Sequence, residues 1–139
     1  VIPAFCRAAL SGADLKVEGS NNIFDFTFVD DVARGIDQVI DVFLARPQNL
    51  PPVHLTTGRG ITLEQAARTI IKTANSASQI KEAPPRSFDV SRFYGDPSRA
   101  KTLLGWSPSF SFEEAIGTFL PALETYLQQE HTLSRRVAL

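Results

Sequence analysis

Between Phe24 and Leu44 the spacing of apolar residues changes from every second position to about every 3.6 positions. Phe24, Phe26 and Phe28 alternate with Asp25 and Thr27 in a stretch rich in β-formers, which predicts a strand over Phe24–Val29. Asp30 then suits an N-cap, and Val32, Ile36, Val39, Ile40, Phe43 and Leu44 recur on one side of a helix that Pro47 stops. A strand running directly into an amphipathic helix points to a mixed architecture.

The remaining segments agree. Ile2–Leu10 reads as a helix ended by Ser11-Gly12, Leu15–Glu18 as a strand, and Gly19–Asn22 as a turn. After the Pro51-Pro52 break, Val53–Thr57 reads as a strand and Gly58-Arg59-Gly60 as a turn. Thr62 and Gln65 form a capping box for a helix that buries Leu63, Ala66, Ala67, Ile70, Ile71 and Ala74. Gln79–Ala83 is a further short strand, and Pro84–Tyr94 a polar, irregular loop of the kind that faces ligands. Asp96-Pro97 starts a short helix that Gly105 ends. Ser111 and Glu114 form a second capping box for a long helix that Pro121 should kink. The fold class is α/β, short strands with four or five helices. Residues 1–129 make one part, and 130–139 a frayed tail.

Composition removes several functions. Of 139 residues 43% are hydrophobic and 21% charged, ordinary values for a globular protein. The net charge of −1 gives no pull toward nucleic acid or an anionic membrane surface. No apolar run approaches the roughly 20 residues that span a bilayer. Cys6 stands alone, so no internal disulfide forms, which fits a cytoplasmic setting. Methionine is absent and the sequence starts Val1-Ile2-Pro3, which leads us to expect a piece of a longer chain.

Candidate chemistry is sparse. Gly58-Arg59-Gly60 lacks the third glycine of a dinucleotide loop and is read as a turn. His54 and His131 lie far apart, so no metal-ligand cluster is expected. Asp30 and Asp31 have the chemistry of cation ligands but fit better as a cap and a dipole-stabilising neighbour. His54, within an apolar strand, is read as a packed residue. Arg86 and Asp89 lie in the polar loop, where a guanidinium can bind a diphosphate and a carboxylate a ribose diol. Arg92 and Arg99 offer further positive charge. On residue chemistry alone the favoured reading is a solvated Arg86–Asp89 surface pair of little energetic worth.

Four segments, in order, resemble the nucleotide-sugar epimerases and dehydratases of the extended short-chain dehydrogenase/reductase family. Leu15–Gly19 with Asp25–Ala33 is similar to the "G…RDFTYVDDVA" stretch of UDP-sugar epimerases, decarboxylases and dTDP-glucose dehydratases. Val53–Gly60 with Thr62-Leu63 looks like the family's strand, "G-x-G" turn and helix. Pro85–Val90 resembles "RPGDV". Asp96–Ala100, Leu103–Pro108 and Phe112–Ile116 match "D-x-S-K/R-A…LGW-x-P…LEEGI".

The resemblance implies the small C-terminal, substrate-binding part of an NAD(P)-binding, Rossmann-like protein, similar to UDP-glucose 4-epimerase. It places a nucleotide base against the backbone of Lys16, Val17 and Glu18, makes Arg86 a diphosphate ligand and Asp89 a ribose ligand. It also implies that the Rossmann glycines and the Tyr-x-x-x-Lys pair lie in a missing N-terminal half. Tyr94 is followed four residues on by Ser98, and Tyr126 by Glu130, so no catalytic residue is assigned here. NAD or NADP belongs to the full-length parent, with none bound by this chain. One departure stands out: the family's second diphosphate-binding Arg is replaced by Phe24. Losing such an anchor costs on the order of 1.5–3 kcal/mol. Two alternatives follow: a 3β-hydroxysteroid- or flavonoid-type reductase, motivated by Phe24, Phe26 and Phe28, and a non-catalytic binding module. Without its partner half the chain is expected to be inactive and to self-associate.

Overall fold

A computed structural model describes residues 1–45 and 49–137, with side chains described through residue 130. Its elements are α1 (Ile2–Ser11), β1 (Leu15–Glu18), β2 (Ile23–Phe24), α2 (Val29–Ala45), β3 (Ile61–Thr62), α3 (Leu63–Thr73), β4 (Ile80–Ala83), β5 (Arg92–Phe93), α4 (Ser98–Leu104) and α5 (Phe112–Val137). β1 pairs in parallel with β4. In a second small sheet β2 lies between β3, antiparallel, and β5, parallel.

The main core forms where α1, α3 and α5 close over β1. Leu15 and Val17 alternate inward along β1 and meet Phe5, Cys6, Ile70, Ile116 and Leu120. The helices are set by local signals. Thr62 Oγ1 accepts from Gln65 N–H at 3.0 Å, and Gln65 Oε1 accepts from Thr62 N–H at 2.8 Å. Ser111 and Glu114 repeat the arrangement at the start of α5. Asp96 Oδ1 accepts from Ser98 N–H at 2.8 Å ahead of α4, and Gly105 closes α4 at φ 69°, a left-handed conformation that favours glycine.

A second cluster surrounds the fully buried Trp106, which lies with buried Ala100 and Leu104 and is packed by Val39, Val42, Val53 and Leu55. Gly35 permits this approach of α2. A Cβ there would lie 2.7 Å from Leu55 and 2.9 Å from Trp106 Nε1. Asp31 is the polar lock of the cluster. It is 1% exposed; its carboxylate accepts from Ser109 N–H at 3.0 Å, Ser109 Oγ at 2.6 Å, Phe110 N–H at 3.1 Å and Arg34. Its carbonyl accepts from Trp106 Nε1 at 2.8 Å. Burial alone would raise its pKa, but the hydrogen bonds from Ser109, Arg34 and Phe110 hold the carboxyl below the usual range. Asp31 thus goes beyond the dipole-stabilising role predicted for it.

Several elements differ from expectation. The strand predicted over Phe24–Val29 is paired only at Ile23–Phe24, because the Asp25 carboxylate then takes Thr57 N–H at 3.0 Å, Thr57 Oγ1 at 2.6 Å and Gly58 N–H at 2.8 Å. The side-chain clamp adds to a last backbone bond, from Asp25 N–H to the Phe93 carbonyl at 3.0 Å. The aromatic alternation survives: Phe26 packs on Phe112 and Phe28 on Phe110, with ring centroids 5.6 and 4.8 Å apart. Val53–Thr57 is not a strand, since no described strand lies beside it. His54 is exposed rather than packed. The apolar stripe of α2 is largely uncovered, with Ile36, Ile40, Phe43 and Leu44 exposed. Asp30 sits inside the first turn of α2 rather than ahead of it. The predicted stop at Pro47 lies outside the described residues. α5 continues past Gln129 to Val137, through most of the segment predicted as a frayed tail.

Candidate functional site

The polar face of β1 and the Pro84–Asp89 loop define the site. Because Leu15 and Val17 point into the core, Lys16 and Glu18 point the other way. The parallel ladder also sorts the backbone. Leu15 N–H and Gly19 N–H donate to Gln79 and Ala83 carbonyls on the β4 side. By alternation, the N–H and C=O groups of Lys16 and Glu18 face the opposite edge of β1, which no described strand occupies.

Arg86 and Asp89 come to this face through a tight turn. Asp89 N–H donates to the Arg86 carbonyl at 3.1 Å, and Arg86 N–H donates to Asp89 Oδ2 at 2.9 Å. The guanidinium lies on the same carboxylate, with Nε 3.1 Å and Nη2 2.9 Å from Oδ1, and 4.8 Å over the Phe88 ring. Arg86 Nε is also 3.6 Å from Glu18 Oε2, while Lys16 Nζ is 2.6 Å from Glu18 Oε1. Hydrogen bonding to Asp89 pushes the Arg86 pKa up, and the Arg86 side chain and backbone hold the Asp89 carboxyl below its ordinary range. The Lys16 ammonium lowers Glu18 in the same way, with Arg86 adding to it.

Lys16, Glu18, Arg86 and Asp89 line one cavity of about 190 Å³, whose apolar wall includes Phe24 and Phe26. Four of the five predicted site residues therefore meet there. Val17 does not reach it by side chain, being fully buried on the other face. Arg92 and Arg99 are not among its lining residues; Arg99 instead donates to the Pro52 carbonyl at 2.8 Å. Asn22, 8% exposed, lines the cavity and escaped the sequence reading because it sits in an ordinary-looking turn. Phe24 faces the same space, at the position where the resemblance implies an Arg.

Two groups away from this cavity have raised pKa values. Burial pushes the Cys6 thiol up to about 11. The Tyr126 hydroxyl donates to Glu130 at 2.9 Å, a bond that raises its pKa and makes it a poorer acid. No metal-binding group of His, Cys, Asp and Glu is found among the described residues, and no described helix is long and apolar enough to cross a membrane.

A dinucleotide does not fit the glycine turn. The first amides of α3 are already taken: Leu63 N–H by the Asn22 carbonyl, Glu64 N–H by the Ser20 carbonyl, and Gln65 N–H by Thr62. Gly60 serves packing, since a Cβ there would lie 2.5 Å from Ile23 Cγ2.

The order of these elements and their sequence match known proteins. The sequence profile described as GDP-mannose 4,6 dehydratase matches residues 1–119. The chain belongs to that family. UDP-glucuronic acid decarboxylase 1 of Danio rerio is 29% identical over 133 residues, covering 94% of this chain and 30% of that protein. The crystal structure of UDP-glucose 4-epimerase from Thermotoga maritima, determined with UDP-glucose, superposes with a TM-score of 0.80 at 26% identity, over 91% of this chain and 40% of that one. The Stenotrophomonas maltophila UDP-glucose 4-epimerase, with bound NAD and formylated UDP-arabinopyranose, gives a TM-score of 0.85 at 17% identity, over 92% and 40%; at that identity the likeness is one of fold. The family model is thus that of a nucleotide-sugar dehydratase, and the relatives are a UDP-sugar decarboxylase and UDP-glucose 4-epimerases, in agreement with the resemblance to nucleotide-sugar epimerases and dehydratases. The chain spans 30% and 40% of the length of the first two relatives named.

Proposed function

We propose that this chain is the C-terminal, substrate-binding part of an NAD(P)-dependent nucleotide-sugar epimerase or dehydratase. The observation that carries the proposal is the convergence of Arg86, Asp89, Lys16 and Glu18 on one cavity beside a strand edge that no described strand occupies. In this reading the base lies along the exposed backbone of Lys16 and Glu18, with Val17 supplying the strand geometry between them. Asp89 both aims Arg86 and accepts from the ribose diol, and Arg86 binds the diphosphate. A cavity of about 190 Å³ holds only part of a nucleotide-sugar. The remainder of the ligand would be enclosed by the Rossmann half of the full-length protein. The redox chemistry belongs to that half, with NAD or NADP as its cofactor, and no catalytic step is assigned to residues of this chain. On its own the chain is expected to be inactive. The buried, unpaired Cys6 fits a reducing cytoplasm.

Isothermal titration of the full-length protein with UDP-glucose and dTDP-glucose tests the reading. Arg86→Ala should weaken binding about tenfold, the low end for a charge-assisted anchor at an exposed site. Unchanged affinity for every nucleotide-sugar that binds would remove the role assigned to Arg86.

A second reading rests on an apolar cavity of about 380 Å³ that Phe26, Phe28, Phe112 and Phe119 help to line. It suits a steroid- or flavonoid-type reductase. Binding of apolar ketones, with no competition from UDP, would select it. A parent without a glycine-rich turn and a Tyr-x-x-x-Lys pair would leave a non-catalytic binding module.

A further inference from the structure

Lys16 and Glu18 stand two residues apart on one face of β1, so their side chains are neighbours. The Glu18 carboxylate lies between two cations and gives one oxygen to each: Oε1 to Lys16 Nζ at 2.6 Å, and Oε2 toward Arg86 Nε at 3.6 Å. A phosphate group is the ligand chemistry that spans two such cations in the same manner. Phe24 brings no charge to the cavity wall. The formal charges of Lys16, Arg86, Glu18 and Asp89 sum to zero, so an arriving diphosphate gains from this cluster only if one carboxylate yields.

The two carboxylates are not equivalent. Asp89 is 12% exposed and bound by both the backbone and the side chain of Arg86, which keeps it in place. Glu18 is 30% exposed, and its closest partner, Lys16, is 69% exposed on a flexible four-carbon stem. Glu18 is therefore the group free to move.

We propose, building on the nucleotide-sugar reading above, that Lys16 and Arg86 together form the anion subsite and that Glu18 is its internal gate. Before ligand arrives, the Glu18 carboxylate holds the place between the two cations. The diphosphate displaces it, and Lys16 supplies the second positive charge that Phe24 does not. Glu18 is then a specificity-determining residue. It disfavours weakly charged ligands that cannot displace it from the cations, and it sets how strongly the phosphate part contributes to binding.

The test is calorimetric titration of the full-length protein with UDP, dTDP and GDP, each beside its nucleoside. Glu18→Gln keeps the side-chain shape and removes the charge. It should tighten the diphosphates roughly fivefold, the scale of an exposed ion pair, and leave the nucleosides unchanged. Lys16→Ala should weaken the diphosphates by a similar factor and again spare the nucleosides. Both sites are on the surface of β1, and circular dichroism confirms folding of each variant. If Arg86→Ala weakens diphosphate binding while Glu18→Gln and Lys16→Ala do not alter it, the gate is refuted and the nucleotide-sugar reading stands. If no nucleotide or nucleoside binds wild type or variant, both are refuted.

Discussion

Removing the Asp31 carboxylate should loosen the joint between α2, α4 and the start of α5. In the folded chain that carboxylate serves two backbone amides, one hydroxyl and one guanidinium, and it is 1% exposed. Asp31→Ala leaves the Ser109 and Phe110 amides without their acceptor, at about 1–3 kcal/mol for each group kept from water. Both amides are only part-buried, so a total of about 2–4 kcal/mol is expected. Asp31→Asn keeps an acceptor and should lose about half as much. Urea unfolding followed by the emission of the single tryptophan, Trp106, reads this region directly, because its Nε1 donates to the Asp31 carbonyl. The measurement belongs at protein concentrations below self-association. Acid gives a second signature. The folded carboxyl binds a proton less readily than the unfolded one, so its contribution is complete above the ordinary Asp value of about 4 and drains away as the pH falls below it. The gap between wild type and Asp31→Asn should therefore narrow in that range. A loss below about 0.5 kcal/mol for Asp31→Ala, with a gap indifferent to pH, would refute the assigned role.

Other substitutions probe the frame and its exposed face. Gly35→Ala places a Cβ 2.7 Å from Leu55 and 2.9 Å from Trp106 and should cost about 1–3 kcal/mol in urea unfolding. Thr62→Ala removes the acceptor for Gln65 N–H and should cost about 1 kcal/mol by the same assay. The uncovered Ile36, Ile40 and Phe43 on α2 should make the isolated chain self-associate in sedimentation, and Ile40→Lys should shift it toward monomer. A monodisperse wild-type monomer at high concentration contradicts that reading.

Features encoded by near neighbours were legible. The capping boxes at Thr62 and Ser111 and the glycine stop at Gly105 each depend on residues within three or four positions, and they form as expected. The strand over Leu15–Glu18 forms with the bounds read from the sequence, whereas the alternation of Phe24, Phe26 and Phe28 yields a strand only at its first residue. Alternation could not foresee that Asp25 would bind Thr57 and Gly58, more than thirty residues on, and end the ladder early. Val53–Thr57 has strand composition, but a strand needs a partner that no described segment provides. The same absence leaves the α2 stripe exposed despite its clear periodicity, because periodicity predicts a face and not what covers it. Residue chemistry makes Arg86 and Asp89 candidates but favours a solvated pair, and only the family resemblance gives them roles; their link to Glu18 bridges the chain between β1 and a distant loop and emerges only in three dimensions.

The most direct test is a crystal structure of the full-length protein with UDP-glucose. The account predicts the uracil ring along the free edge of β1 at Lys16 and Glu18, the ribose hydroxyls on Asp89, and the diphosphate within about 3 Å of the Arg86 guanidinium. A nucleotide bound elsewhere, with Arg86 still closed on Asp89 and Glu18, would contradict it.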